Sequence, residues 1–107
     1  MATMHKVCVI KLIGKVHSRG EYGEDIVEEY ETPVFAERHA ISRYEWTNAG
    51  LQGYHPQCVV TIFDFEYNGE DVVELDGKRY FVYRTYERDD DKLELYLERR
   101  QGDEVEK

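Results

Sequence analysis

Four histidines, two cysteines and a run of three aspartates are the residues here with the widest chemical range, and their spacing decides what they can do. His5, His17, His39 and His55 stand alone. No H-x-x-x-H pair and no carboxylate at ligand spacing accompanies them, which argues against a zinc site. Asp89-Asp90-Asp91 lacks the alternating ligands, central glycine and terminal bidentate glutamate of an EF-hand loop, so it reads as a solvated acidic turn between strands. Ser18, Ser42 and Cys58 have no recognisable base nearby in sequence, and no glycine-rich phosphate loop follows a strand. Cys8 and Cys58 each lie inside an apolar run without C-x-x-C or Cys/His spacing, and read as small core hydrophobes in a reducing compartment. The pattern predicts no enzyme, no cofactor and no metal.

Two aromatic clusters remain. Tyr80, Tyr83 and Tyr86 alternate with Arg79 and Arg84, a weak version of the groove in which bases stack between cations. Arg43, Tyr44, Trp46 and Tyr54 combine the residue types most enriched at interface hot spots. Packing of Tyr44 and Trp46 under a short helix is the plainer alternative for the second cluster.

Composition narrows the partners. The chain has 107 residues, 14 basic and 23 acidic, for a formal net charge of -9. That length supports one domain with a modest core. The acidic excess opposes binding through phosphate contacts, since charges act over roughly 8 to 10 Å at physiological salt. Aromatics at 13% supply the apolar payload that disordered chains lack. No apolar run approaches the roughly 18 residues of a membrane span, and the N-terminus lacks a signal-peptide stretch. A soluble cytoplasmic product is expected.

The elements that would carry these residues are mostly strands. Residues 6–13 form an opening strand, with Cys8, Ile10 and Leu12 on one face and Val7, Val9 and Ile13 on the other, which predicts cover on both sides. Residues 14–24 turn polar and carry Gly14, Gly20 and Gly23, and read as a mobile excursion. Residues 25–38 return to strand composition, but Pro33 predicts an edge strand or a break. Ser42-Arg43-Tyr44-Glu45 matches a capping box, in which Glu45 would reach back to the cap's own N–H. About two helical turns follow, ended by Gly50, Gly53 and Pro56. Residues 57–67 read as a central strand, with Val59, Thr61, Phe63, Phe65 and Tyr67 on one face and Cys58, Val60 and Ile62 on the other. Asn68-Gly69 marks a turn.

Asp76-Gly77 between two β-prone runs predicts a type I′ hairpin, with Leu75 opposite Lys78, Glu74 opposite Arg79, Val73 opposite Tyr80 and Val72 opposite Phe81. Leu93, Leu95 and Leu97 alternate with polar residues in a half-buried strand over 92–98. The polar tail at 99–107 is expected to fray. The sum is a mostly β chain, a small antiparallel β-barrel or sandwich of about six strands, with one short helix between the second and third.

Tyr67-Asn68-Gly69-Glu70, Asp76-Gly77-Lys78-Arg79-Tyr80, Tyr83-Arg84-Thr85-Tyr86-Glu87-Arg88 and Leu93-Glu94-Leu95-Tyr96-Leu97-Glu98 follow one another in an order that resembles the small head-tail adaptor proteins of long-tailed bacteriophages and prophages. Ile41-Ser42-Arg43-Tyr44-Glu45-Trp46, then Ala49-Gly50-Leu51-Gln52-Gly53 and Pro56, is similar to the same family's middle region. The resemblance implies a structural virion protein that joins the portal side of the head connector to the tail as a ring and helps close the DNA exit channel. Its implied partners are copies of itself, dodecameric on the connector, together with portal and tail completion proteins. DNA would pass without sequence-specific binding, and no membrane is involved. The implied location is the bacterial host cytoplasm during assembly and then the virion head-tail interface. Subunit or channel contacts would fall on Arg43, Tyr44, Trp46, Gln52 and Tyr54, because residues 41–56 occupy the place of the family's channel-closing connection, and on Tyr22 in the 14–24 excursion, a candidate bridge to a neighbour. A small SH3-like or OB-like barrel, engaging a peptide or single-stranded nucleic acid through Tyr80, Tyr83 and Tyr86, is the competing reading.

Overall fold

The computed structural model describes residues 6–99. Six antiparallel strands close into a barrel: β1 (Lys6–Arg19), β2 (Asp25–Ala40), β3 (Pro56–Phe63), β4 (Val72–Leu75), β5 (Lys78–Glu87) and β6 (Lys92–Glu98). Around the barrel they run β1-β2-β3-β6-β5-β4, with the single helix α1 (Arg43–Leu51) between β2 and β3. The barrel is filled by alternate residues of its strands. Ile10 and Leu12 of β1, Val60 and Ile62 of β3, Val73 and Leu75 of β4, and Leu93, Leu95 and Leu97 of β6 are buried in one cluster. Each such side chain stabilises the fold by about 1.5–3 kcal/mol relative to exposure.

The β4–β5 hairpin has the register its turn dictates. Val72 pairs with Phe81, Val73 with Tyr80, Glu74 with Arg79 and Leu75 with Lys78. Asp76 and Gly77 both have positive φ, 56° and 78°, the pair of left-handed conformations that a type I′ turn requires. β6 likewise matches its alternation.

Several expectations are corrected. Residues 14–24 are not an irregular excursion: β1 continues to Arg19, and a tight turn returns the chain at Asp25. In that turn the Gly20 N–H donates to the Glu24 carbonyl at 2.8 Å and Gly23 takes a φ of +83°. The stretch looked like a loop because neither of its faces meets a core, so no apolar alternation marks it. Pro33 does not break β2, which runs through it opposite Lys11. β3 joins β2 only from Glu37 to Ala40, so one side of β2 at Pro33 has no strand to donate to. Val7 and Val9 are exposed on the barrel wall rather than covered, while Ile13 is buried. The strand expected over 57–67 ends at Phe63, and a 3-10 turn, Asp64–Glu66, follows. Its core face is that of Cys58, Val60 and Ile62, with Phe63 and Phe65 exposed outside. Of the tail at 99–107, Arg99 is held, its N–H donating to the His55 carbonyl at 3.2 Å; residues 100–107 lie outside the described residues.

Cys58 is buried and Cys8 partly buried, both against the core cluster, and burial is the main cause that pushes both thiols above their ordinary value.

Two glycine substitutions separate turn strain from helix propensity. A Cβ at Gly77 meets nothing within 4 Å, so Gly77→Ala carries only the backbone cost of φ 78°, about 1–2 kcal/mol. Gly50, inside α1 with equally open surroundings, should gain about 0.5–1 kcal/mol on the same change. Urea unfolding of the two variants checks the opposite signs.

Candidate functional site

Residues 41–56 leave the barrel after β2 and return to it at β3. Ser42 caps the helix, its Oγ accepting the Glu45 N–H at 3.0 Å. The return half of the capping box does not form. Instead the Glu45 carboxylate crosses to the barrel, where it accepts the Tyr83 hydroxyl at 2.6 Å and the Arg84 guanidinium at 2.7 and 3.3 Å. Arg84 also lies over the Tyr96 ring at 4.1 Å, and Tyr54 stacks on Tyr83 with ring centroids 4.7 Å apart. Gln52 ends the helix, its N–H donating to Ala49 and Gly50, and Gly53 turns the chain with a φ of +90°. His55 then ties back through its N–H to the buried Glu98 carboxylate at 3.1 Å.

The electrostatics agree with this geometry. The Arg84 hydrogen bond holds the Glu45 carboxyl below its ordinary range, and Glu45 in turn raises Arg84. Burial, then the Glu45 hydrogen bond, raises Tyr83; burial and Glu94 push Tyr96 up to about 12. Both phenols therefore stay protonated donors at neutral pH.

Of the helix itself only Ala49 is buried. Tyr44 and Trp46 are 77% and 61% exposed, so they do not pack α1 onto the barrel; Leu51 and Arg43 are exposed beside them. The structure thus gathers Arg43, Tyr44, Trp46, Gln52 and Tyr54 on one segment, with Tyr54 half-buried in the clamp and the others facing solvent. Tyr22 stands apart. It is 91% exposed in the β1–β2 turn, separated from α1 by the 16 residues of β2, about 50 Å of strand at roughly 3.3 Å a residue. Tyr80, Tyr83 and Tyr86 do not form a stacking face: Tyr80 points into the core, Tyr83 lies under Tyr54, and Tyr86 is exposed.

Two further features escaped the sequence. On the outer wall, where β2 diverges from β3, Val7, Phe35 and Phe63 flank an apolar cleft floored by Ala36 and Ile62. Phe65 stacks on Phe63 at 5.6 Å, and the Thr61 hydroxyl is buried there without a partner. At the base of the β1–β2 ribbon, the buried Glu70 carboxylate accepts the Asn68 N–H at 2.9 Å and the Tyr30 hydroxyl at 3.1 Å, while its carbonyl accepts the Tyr67 hydroxyl at 2.6 Å. Gly14 makes this possible. Tyr30 is its register partner, and a Cβ on Gly14 would lie 2.4 Å from the Tyr30 hydroxyl oxygen. Burial, then Asp71 and Glu70, pushes Tyr67 up to about 12. Both Glu70 oxygens are taken, so the group pins the ribbon rather than offering a base.

Among the described residues no cluster of three or more His, Cys, Asp or Glu is placed to hold a metal, and no helix is long and apolar enough to cross a membrane. In comparisons with known proteins, the chain matches no family model, no curated protein and no solved structure.

Glu45→Gln should weaken helix docking by about 1 kcal/mol, the value of a charge-assisted hydrogen bond discounted for the solvent reaching Arg84. In the unaltered chain, a lowered Glu45 value means that its contribution to docking is fully present above the ordinary 4.5 and is lost as pH falls through the lowered value. Trp46 is the one tryptophan. Its emission should change over that acid window before the barrel unfolds, and the Glu45→Gln variant should lack the transition. At the ribbon base, Tyr30→Phe removes a donor from buried Glu70 and should cost about 1–2 kcal/mol. Gly14→Ala displaces the same ring, so the double variant should cost clearly less than the sum of the two, measured by chemical unfolding.

Proposed function

We propose that this chain is a non-enzymatic structural subunit: a head-tail adaptor that assembles as a ring between the portal-side connector of a phage head and the tail, and helps close the DNA exit channel. The observation that carries the reading is the outward display of Tyr44, Trp46 and Leu51 on a helix clamped to the barrel by Glu45. Large aromatics left in water on an ordered element are the anchors that interfaces bury. The apolar cleft at Val7, Phe35 and Phe63 offers a second, different surface on the same chain. Two unlike surfaces on one subunit are what a heterologous ring needs, because each contact joins one face to another and the rotation then closes.

The order of motifs along the chain supplies the phage context. A formal net charge of -9 suits a conduit past which DNA moves without being gripped. Copies of itself, most simply a dodecamer on the connector, portal and tail completion proteins are the partners this role entails, without a membrane and without sequence-specific DNA binding. Assembly would begin in the host cytoplasm and end at the virion head-tail interface. The single-strand-binding alternative has less support, since its three tyrosines face three environments.

Purified chain added to DNA-filled, portal-bearing capsids of the encoding phage that lack this protein should retain the DNA and permit tail joining. Tyr44→Ala/Trp46→Ala should cut tail joining by at least about tenfold, as expected when hot-spot aromatics are truncated, with the unfolding midpoint unchanged. Leaking capsids and unattached tails with the unaltered chain would show the role to be wrong.

A further inference from the structure

Past the barrel wall, β1 and β2 continue together as a two-stranded ribbon, from the pair Lys15 with Glu29 out to Arg19 with Asp25. Among the described residues, β1 has a second neighbour only at Lys11–Ile13, through β4, and β2 only from Glu37 to Ala40, through β3. Each strand of the ribbon therefore carries one open edge of backbone donors and acceptors. Apart from half-buried Gly20, every residue from 15 to 29 is exposed. A two-stranded ribbon with no buried face is marginal in water. Yet this one carries exposed Val16, Ile26 and Val27.

The two edges differ in charge. Past the wall, β1 offers Lys15, His17 and Arg19 and no acid, whereas β2 offers Asp25, Glu28 and Glu29 and no base. Pairing sets Lys15 and Arg19 on one face of the ribbon in a cationic column, beside Glu29 and Asp25, with His17 and Val27 between them.

We infer that the β1 edge of one copy pairs with the β2 edge of a second copy, so that neighbouring ribbons form a continuous intermolecular sheet. The inference rests on the ring reading above and adds a backbone contact to it. Cyclic symmetry keeps all ribbons pointing the same way along the axis. β1 of one copy then runs antiparallel to β2 of the next, as the two already do within one chain. Cationic and acidic columns alternate around the ring, each cationic column flanked by its own acids on one side and its neighbour's on the other. Opposite charges across strands favour such pairs and like charges oppose them. Because the edges are unlike, the contact is head-to-tail and leads to a ring rather than a closed dimer.

A charge exchange tests this with purified full chains, read by sedimentation velocity up to millimolar concentration at low salt. Lys15→Glu/Arg19→Glu and Asp25→Lys/Glu29→Lys should each weaken self-association by on the order of tenfold or more. The fourfold exchange restores opposite charges within and between ribbons, and should recover self-association. Mixed with unaltered chain, it places like columns together at every mixed contact, so the two should sort into separate assemblies. Zero-length cross-linking of an isotopically mixed sample should join Lys15 of one copy to an acid of β2 in another. A chain that stays monomeric throughout, or an exchanged chain that co-assembles with the unaltered one as readily as with itself, would overturn the inference. Neither outcome involves capsids, so the adaptor role stands or falls separately on DNA retention and tail joining.

Discussion

The barrel is closed by a short ladder. Three register pairs, Lys11 with Glu74, Leu12 with Val73 and Ile13 with Val72, join β1 to β4 and complete the ring of strands. Everything else follows from how little of β1 this consumes. Leu12 and Val73 meet in the core with no exposed surface, so closure and core packing are one event at that pair. Two residues past Leu12 stands Gly14, where the missing side chain lets Tyr30 lie across the strand and reach Glu70. The wall ends there, and β1 passes from buried sheet to solvated ribbon within two residues.

Where sequence signals were local, they were legible. The β4–β5 register comes from one turn whose two residues must both be left-handed, and the alternation of Leu93, Leu95 and Leu97 needs only a single core on one side. The start of α1 was readable from Ser42 for the same reason. Long-range choices were not. Glu45 had a backbone N–H three residues away and a guanidinium 39 residues away, and the distant Arg84 won because a charged, doubly bonded partner outweighs one neutral amide. The ribbon was missed because hydrophobic alternation reports burial, and a ribbon bathed on both faces has none to report. β3 misled in the opposite way: Val59 and Thr61 are buried on its outer face as well as Val60 and Ile62 on its inner one, so alternation could not say which row faced the core.

Among the residues proposed for contact, the structure separates two kinds of aromatic that sequence could not tell apart. Tyr54 and Tyr83 spend their faces on each other and their region on holding the helix in place. Tyr44 and Trp46, a few residues away, are left outward because the helix rests on Ala49 and turns that side to the barrel. Tyr44 lies on the side away from Ala49 and Trp46 flanks the line of approach, so the small residue at the contact keeps the helix close to its support while bulk is presented beside and behind it.

The strand order has a consequence for how the molecule comes into being on the ribosome. β6 sits between β3 and β5, so neither half of the wall can seal until β6 has been made. Until then β3, which in the finished barrel carries β6 along Pro56–Phe63, keeps that flank bare in the nascent chain, where open sheet edges recruit one another and aggregate. The pairs of β6 with β5 are local, whereas those with β3 join residues as far apart as Pro56 and Glu98, so closure of the wall waits on the slower, non-local half.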